Sequence, residues 1–217
     1  NKDYAPIMLA FKNYQVVYTH AAAPFRDLAG LIAYAKANPG KLNWGTAGPG
    51  TPGHLTMELL NSMAGIETVH VPFKGGVPAT TALLGHQIEV VSTDTSPKPH
   101  VDSGKLLALG VTSAGRWRPV PDVPSLQESG LPRFEVSTWY GVIAPLGTPP
   151  DIVAKVQQAF IAALKAPEVV EKSDGFGMER TQANGTEFDT LIRSDFEKWG
   201  PIVRRAMREL MGRVPLL

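Results

Sequence analysis

The chain has 217 residues, 43% hydrophobic and 19% charged, enough to bury a substantial core as one large domain or two smaller lobes. Its 21 basic and 20 acidic residues leave a formal charge of +1 and form no basic tract, so the electrostatic footprint of a nucleic-acid binder is missing. Cysteine is absent, which excludes thiol catalysis, disulfide frameworks and thiolate metal sites together, and no apolar run approaches the roughly 20 residues that span a bilayer.

The 19 prolines and 21 glycines punctuate short periodic segments, with no repeat or low-complexity linker. Residues 7 to 20 carry β-branched and aromatic runs and predict one or two strands. A helix follows, with Leu28, Leu31, Ile32 and Ala35 on one face and Asn38-Pro39-Gly40 as its stop. A short strand from Leu42 ends in glycine, and a helix with Leu55, Leu59 and Met63 spaced by four comes next. Residues 67 to 73 alternate as a strand, 77 to 85 as a helix and 87 to 93 as a strand, with a further strand at 106 to 113.

Residues 123 to 130 predict a short helix closed by Gly130, and 135 to 145 a long strand. Residues 151 to 170 predict one amphipathic helix with Ile152, Val156, Phe160 and Leu164 in line, and the stretch from Thr186 to about Met211 predicts a long one. Strands alternating with helices indicate βαβ units and a mostly parallel sheet covered on both faces. A shift near residue 137, from short elements to long helices, suggests two lobes with residues 135 to 145 crossing between them.

The most informative stretch is NWGTAGPGTPGHL, from Asn43 to Leu55. A strand ends at Trp44, a glycine-rich turn follows and a helix begins near Thr51, whose hydroxyl suits an N-cap, with Pro52 at the first helical position. Gly45, Gly48, Gly50 and Gly53 let backbone N–H groups approach a ligand without a Cβ in the way, and with the helix dipole this makes an anion site. The same spacing also serves a plain strand-to-helix turn.

A phosphate loop is excluded, because His54 and Leu55 follow Gly53 in place of Lys and Ser or Thr, and the glycine spacing of a dinucleotide fold is not met. Lys74 ends a strand before two glycines, placed either to meet a carboxylate or to sit solvated on a loop. Thr93 and Asp94 repeat that placement after the next strand; Asp94 or Ser96 also suits a helix cap.

Nucleophilic and metal chemistry find no support. No serine sits in a Gly-x-Ser-x-Gly elbow, and His20, His54, His70, His86 and His100 make no i, i+4 pair. His54 faces the glycine loop or serves as a surface or cap residue of its helix. His70 alternates with Val69 and Val71 and belongs to the opposite sheet face, and Trp117, Trp139 and Trp199 read as packing residues. No cofactor and no catalytic residue is implied.

The run from Gly45 through Val91, continued from Ser103 to Val153, resembles the extracytoplasmic receptors of tripartite tricarboxylate transporters, the Bug or TctC type of solute-binding protein. The likeness spans about Ala5 to Met211. It implies an α/β, type II periplasmic-binding-protein-like fold, in which two lobes joined by crossover strands close on a small organic carboxylate: a di- or tricarboxylate, an aromatic acid or an acidic amino acid. It also implies a periplasmic, non-enzymatic protein that hands its solute to a membrane permease. Candidate ligand contacts carried over from it are Thr46, Ala47, Gly48, Gly50, Thr51 and His54 in the glycine-rich turn, with Lys74 and Gly75, and Thr93 and Asp94, in two further loops.

The resemblance fails at the start: nothing corresponds to the family's opening Pro-Phe and Gly-Gly loop, and no signal peptide pattern is present. The expected organisation is therefore residues 1–20 as the end of an incomplete first lobe and its crossover strand, 21–136 as a complete second lobe, and 137–217 as the returning strand and helices. An incomplete sheet exposes an edge and predisposes to dimerisation. Two other classes share features with this pattern: the effector-sensing domain of a transcription regulator, which would need a helix-turn-helix, and an enzyme, which would need converging His, Asp and Ser.

Overall fold

A computed structural model of the chain describes residues 3–212, with side chains as far as residue 204. The described residues gather into two compact units: one holds residues 3–13 and Thr138–Arg204, and the other is built on Tyr14–Ser137.

The second unit is built on a five-stranded sheet in the order β4-β3-β5-β2-β6. Its strands are β2 (Val16–His20), β3 (Asn43–Thr46), β4 (Val69–Pro72), β5 (Val90–Thr93) and β6 (Leu106–Val111). β3 pairs in parallel with β4 and β5, while β2 is antiparallel to both of its neighbours, β5 and β6. The sheet is thus parallel apart from one reversed strand, which the alternating βαβ pattern does not reveal: β2 enters from the other unit and is not the product of a helical crossover. All four residues of β5 are buried, as expected of a strand covered on both faces.

Helices α1 (Leu28–Ala37), α2 (Pro52–Ala64), α3 (Gly76–Leu84) and the short α4 (Lys98–Asp102) follow β2, β3, β4 and β5 respectively. Asp27 caps α1, accepting from the Gly30 N–H at 2.7 Å, and Asn38 closes it. One core joins Val16 and Tyr18 of β2, Val91 of β5 and Val111 of β6 to Ala79, Ala82 and Leu83 of α3, with Trp117 edge-on to Tyr14. Trp44 is fully buried and donates its Nε1–H to Ser92 Oγ at 2.7 Å, tying β3 to β5.

Thr112 joins the point where the chain enters this unit to the point where it leaves. Its Oγ1 accepts from the Gln15 N–H at 2.8 Å and donates to the Val136 carbonyl at 2.6 Å, while its own N–H donates to the Gln15 carbonyl. Residues 123 to 130, expected as a short helix, form a turn instead. Ser125 and Glu128 cap each other reciprocally, with the Ser125 N–H to Glu128 Oε2 at 2.8 Å and the Glu128 N–H to Ser125 Oγ at 3.1 Å, but the chain leaves after that turn.

The first unit holds β1 (Tyr4–Tyr14), β7 (Ser137–Pro145) and β8 (Glu179–Arg180) in the order β7-β1-β8, with α5 (Pro150–Ala163), α6 (Pro167–Gly175) and, as far as Arg204, α7 (Gly185–Gly212). The single helix expected over 151 to 170 is two, because Pro167 cannot continue α5 and instead opens α6. Its expected stripe holds in part: Val156 and Leu164 face the core of Ile7, Met8 and Ala10, together with Val153 and Ile161, whereas Ile152 and Phe160 are exposed. In α2, likewise, Leu59 is buried but Met63 is exposed, and the buried side is centred on Thr56, Met57 and Leu60. Asn184 and Glu187 open α7 with a reciprocal cap, and Trp139 of β7 donates to Asp195 of α7 at 2.6 Å while its ring meets Phe188 edge-on. Ile143, Leu146, Phe176 and Phe196 are exposed.

Two glycines fix how α2 and α3 meet the sheet. A Cβ on Gly53 would collide with the Ser92 carbonyl oxygen, and one on Gly76 would stand 2.5 Å from Thr93 Oγ1. Gly53→Ala is expected to push the first turn of α2 off β5 and cost about 1–3 kcal/mol, the range for overpacking, read as a lower urea midpoint with unchanged slope. At the far end of β2, His20 and His86 stand edge-on with centroids 4.4 Å apart, and His20 Nδ1 is buried without a hydrogen-bond partner. Burial, and then the neighbouring His86, hold the His20 pKa below its ordinary 6.5 against the opposing pull of Glu89. The unfolded chain therefore takes up this proton first, so the contribution to stability is intact above the ordinary pKa and lost as pH falls below it. His20→Asn is expected to flatten the fall in urea midpoint between about pH 7 and about pH 5.

Candidate functional site

β3, β4 and β5 run the same way, so the loops that follow them emerge at one end of the second unit's sheet. That end carries every residue singled out from the sequence: Thr46 to His54 after β3, Lys74 and Gly75 after β4, and Thr93 and Asp94 at the end of β5. Gly53 and Gly76 then set the first turns of α2 and α3 against Ser92 and Thr93 of the same strand. Neither α2 nor α3 has a side-chain cap. Their first N–H groups are left without an intrahelical acceptor and carry the partial positive charge of the helix ends.

Thr51 is the N-cap of α2 and Pro52 its first residue, as the sequence suggests, but the Thr51 hydroxyl does not cap. It donates at 2.7 Å to the carbonyl of Gly48, bracing the loop across its own width. Gly48 and Gly50 have φ of 138° and 74°, conformations that a β-carbon disfavours. Their amides are already engaged: the Gly50 N–H donates to His54 Nδ1 at 3.1 Å and the Gly48 N–H to Thr46 Oγ1 at 3.2 Å. Gly45 and Gly53, by contrast, are packing glycines, and a Cβ on Gly45 would strike Ile88. Ala47 is half-buried and accepts from the Gly75 N–H at 3.2 Å, which joins the first loop to the second. Thr46 and Thr93 are buried, and Lys74 and Asp94 exposed.

Asp94 does not cap α4, whose N-cap is Pro97; its Oδ1 accepts from the Ser96 N–H at 2.9 Å in a tight turn. The Asp94 carbonyl is held from within by the fully buried Tyr18, whose hydroxyl donates to it at 3.0 Å. Burial, and then the Asp94 charge, push the Tyr18 phenol well above its ordinary range, so it serves as a donor throughout the physiological range. A cavity of about 110 Å³ lined by Tyr18, Val101, Ala108 and Val120 lies on the α4 side and includes none of the three loops' candidate residues.

His54 is a buried residue of the first turn of α2, not a surface one. Its ring stacks on His70 with centroids 4.0 Å apart and planes 16° from parallel, and its Nε2 lies 3.6 Å from the buried Glu58 Oε1. His70 Nε2 is 2.7 Å from Thr46 Oγ1. The β4 alternation placed His70 correctly, opposite Val71, which packs on the α3 core. What it missed is that α2 covers the other face, so the face that looked remote holds the group beneath the loop. Glu58 was legible only as the i+4 neighbour of His54. Among the described residues no group of three or more His, Asp or Glu side chains is placed to hold a metal ion, and no helix is long and apolar enough to cross a membrane.

Comparison with known proteins extends this geometry to a family. The model of the tripartite tricarboxylate transporter family receptor, TctC, matches residues 1–207. The "UPF0065 protein in tcbD-tcbE intergenic region" of Pseudomonas is 36% identical over 205 residues, which is 94% of this chain and 61% of that protein. Protein BugT of Bordetella pertussis is 31% identical over 213 residues, covering 96% of this chain and 64% of its own length. The chain thus spans less than two thirds of the length of these relatives.

Among solved structures, a TctC solute-binding protein from Polaromonas superposes with a TM-score of 0.83 at 25% identity, over 94% of this chain and 70% of that one. Rpa4515 of R. palustris, solved with adipate, gives 0.76 at 28% identity over 94% and 69%. MatC of Rhodopseudomonas palustris, with bound malate, gives 0.74 at 29% identity over 92% and 69%. With its sequence matched almost end to end and its fold shared with these receptors, this chain belongs to the tripartite tricarboxylate transporter receptor family, the TctC or Bug proteins.

Proposed function

We propose that this chain is the carboxylate-capturing part of a periplasmic, non-enzymatic solute receptor that delivers its ligand to a membrane permease. The observation that carries the reading is the pair of uncapped helix N-termini, α2 and α3, set by Gly53 and Gly76 against the end of β5 beside a braced glycine-rich loop. Unpaired N–H groups at two helix ends, with the helix dipoles behind them, suit an anion of modest charge and require no buried cation. The Thr93 hydroxyl adds a neutral donor beside the first turn of α3, while those of Thr46 and Thr51 brace the loop from within. Lys74, exposed at the end of β4, supplies the full positive charge at the mouth of the loops.

Two structural neighbours in the family carry dicarboxylates, adipate in one and malate in the other, and a flexible or hydroxylated dicarboxylate is accordingly the ligand class we assign to this chain. In this reading the first turns of α2 and α3 present backbone N–H groups to one carboxylate, the Gly75–Ala47 hydrogen bond holds the two loops together, and Lys74 and the Thr93–Asp94 turn meet the remainder of the ligand.

A thermal-shift screen of the chain against malate, adipate, citrate and benzoate tests the reading. A ligand bound only by the folded state adds about 2.7 kcal/mol of stability at a hundredfold excess over its dissociation constant, so a dicarboxylate is expected to raise Tm and benzoate to do less. Thr51→Ala, which removes the brace on Gly48, is expected to weaken binding by roughly 0.5–1.5 kcal/mol, and Gly48→Val by more, since a β-branched residue strains at that φ. A panel in which no acid shifts Tm, or two variants with wild-type affinity, would overturn the assignment.

A further inference from the structure

Beneath the glycine-rich loop lies a feature that the carboxylate reading leaves without a role. The two loop residues with positive φ, Gly48 and Gly50, are the ones whose amides end on side chains, and both side chains lead to imidazoles. Gly50 reaches His54 directly, and Gly48 reaches His70 through Thr46 Oγ1, with separations of 3.1 Å, then 3.2 Å and 2.7 Å. The two rings are stacked on each other at 4.0 Å. Two glycine tethers therefore stand on one rigid pair of rings, one ring supplied by α2 and the other by β4.

The hydrogen-bond directions fix the chemistry of His54. A backbone N–H can only donate, so His54 Nδ1 must offer its lone pair, and the ring proton is left on Nε2. That Nε2 faces Glu58 Oε1 at 3.6 Å, within electrostatic reach of an acceptor from the next turn of the same helix. Nδ1 is thus hydrogen-bonded inside the protein and Nε2 faces the buried Glu58, in a side chain that is 5% exposed. A ligand-binding nitrogen would have to break one of these relations.

We infer that His54 is a positioning residue, not a ligand contact: held between Gly50 and Glu58 and stacked on His70, it keeps the glycine-rich loop in its binding shape before any ligand arrives. Glycine loses more conformational freedom on ordering than any other residue, so a loop with glycines at 48 and 50 would otherwise charge that ordering to the ligand. The ligand half of this inference rests on the carboxylate-receptor reading; the loop half does not, and the two are tested apart.

Amide exchange measured by NMR on the whole chain without ligand tests the loop half. The Gly50 amide is expected to exchange about tenfold faster in His54→Phe, which keeps a flat ring but has no acceptor, and to regain protection in His54→Asn, whose Oδ1 lies near the place of Nδ1. Unchanged Gly50 exchange in His54→Phe would overturn the inference even if no acid binds the chain. Calorimetry with malate and adipate tests the ligand half. His54→Phe is expected to bind about tenfold more weakly, with His54→Asn rescuing most of the loss and His54→Gln, whose amide falls near Nε2, rescuing little. Rescue by Gln and not by Asn would place Nε2 on the ligand and overturn the inference. If His54→Phe does not fold, the Asn and Gln variants still decide between the two nitrogens. Wild-type chain that binds neither acid would remove the receptor reading and leave the exchange result to judge His54.

Discussion

The approach of two helix ends to one strand end is the constraint on which the rest of the site depends. α2 and α3 follow different strands, β3 and β4, yet their first turns both rest on β5, at Ser92 and Thr93. That convergence is possible only because positions 53 and 76 lack a Cβ. With it in place, β5 must be buried on both faces, the loops after β3 and β4 must run side by side, and the Gly75 N–H can reach the Ala47 carbonyl. The buried Trp44–Ser92 hydrogen bond closes the same corner from beneath, since it joins β3 to the residue on which Gly53 sits. The loop geometry follows from packing in the sheet and helices below it.

A second constraint acts at the ends of the same unit. Chain entry at Gln15 and chain exit at Val136 are joined through Thr112, which is fully buried and uses its hydroxyl as both donor and acceptor. A buried hydroxyl with all partners satisfied costs little, whereas one left with an orphaned backbone group on either side would cost about 1–3 kcal/mol. The unit is therefore closed on itself at the point where its chain is interrupted by the other unit. β2, reversed between β5 and β6, is the structural consequence: the strand that brings the chain in has to run against the strands built by successive helical crossovers.

Most of the element order was legible because hydrophobic period and turn residues act locally. Asn38-Pro39-Gly40 ends α1 where expected, and Thr51-Pro52 opens α2. The errors share a cause, which is that faces and interruptions are set by neighbours. Of Leu55, Leu59 and Met63 only Leu59 is buried, and α2 also buries Thr56, which donates to the Pro52 carbonyl of its own helix, and Glu58, which lies beside His54. The 151 to 170 segment keeps its apolar rhythm across Pro167, so period alone concealed the break. At the site, glycine spacing marked the loop but gave two kinds of glycine the same weight. Gly45 and Gly53 are needed for close packing, Gly48 and Gly50 for backbone conformation, and only three-dimensional neighbours separate the two. His70 was invisible as a partner of His54 because they lie on different elements.

The electrostatics of the proposed site favour capture that can be reversed. A buried arginine or lysine facing a carboxylate would be held by an interaction whose loss leaves an uncompensated charge, at a cost of about 3–5 kcal/mol. Here the anion would meet instead the two uncapped helix ends, each carrying about half an elementary charge that falls off within the first turn, and the neutral hydroxyl of Thr93. Such donors act only over short range and only when correctly placed. Affinity then depends on the order of the loop more than on its charge, and the stacked imidazoles beneath Gly48 and Gly50 supply that order without adding an ion of their own to the ligand's surroundings. A receptor that must release its cargo gains from this division: the scaffold carries the cost of ordering, and the bound anion leaves behind helix ends that water can solvate.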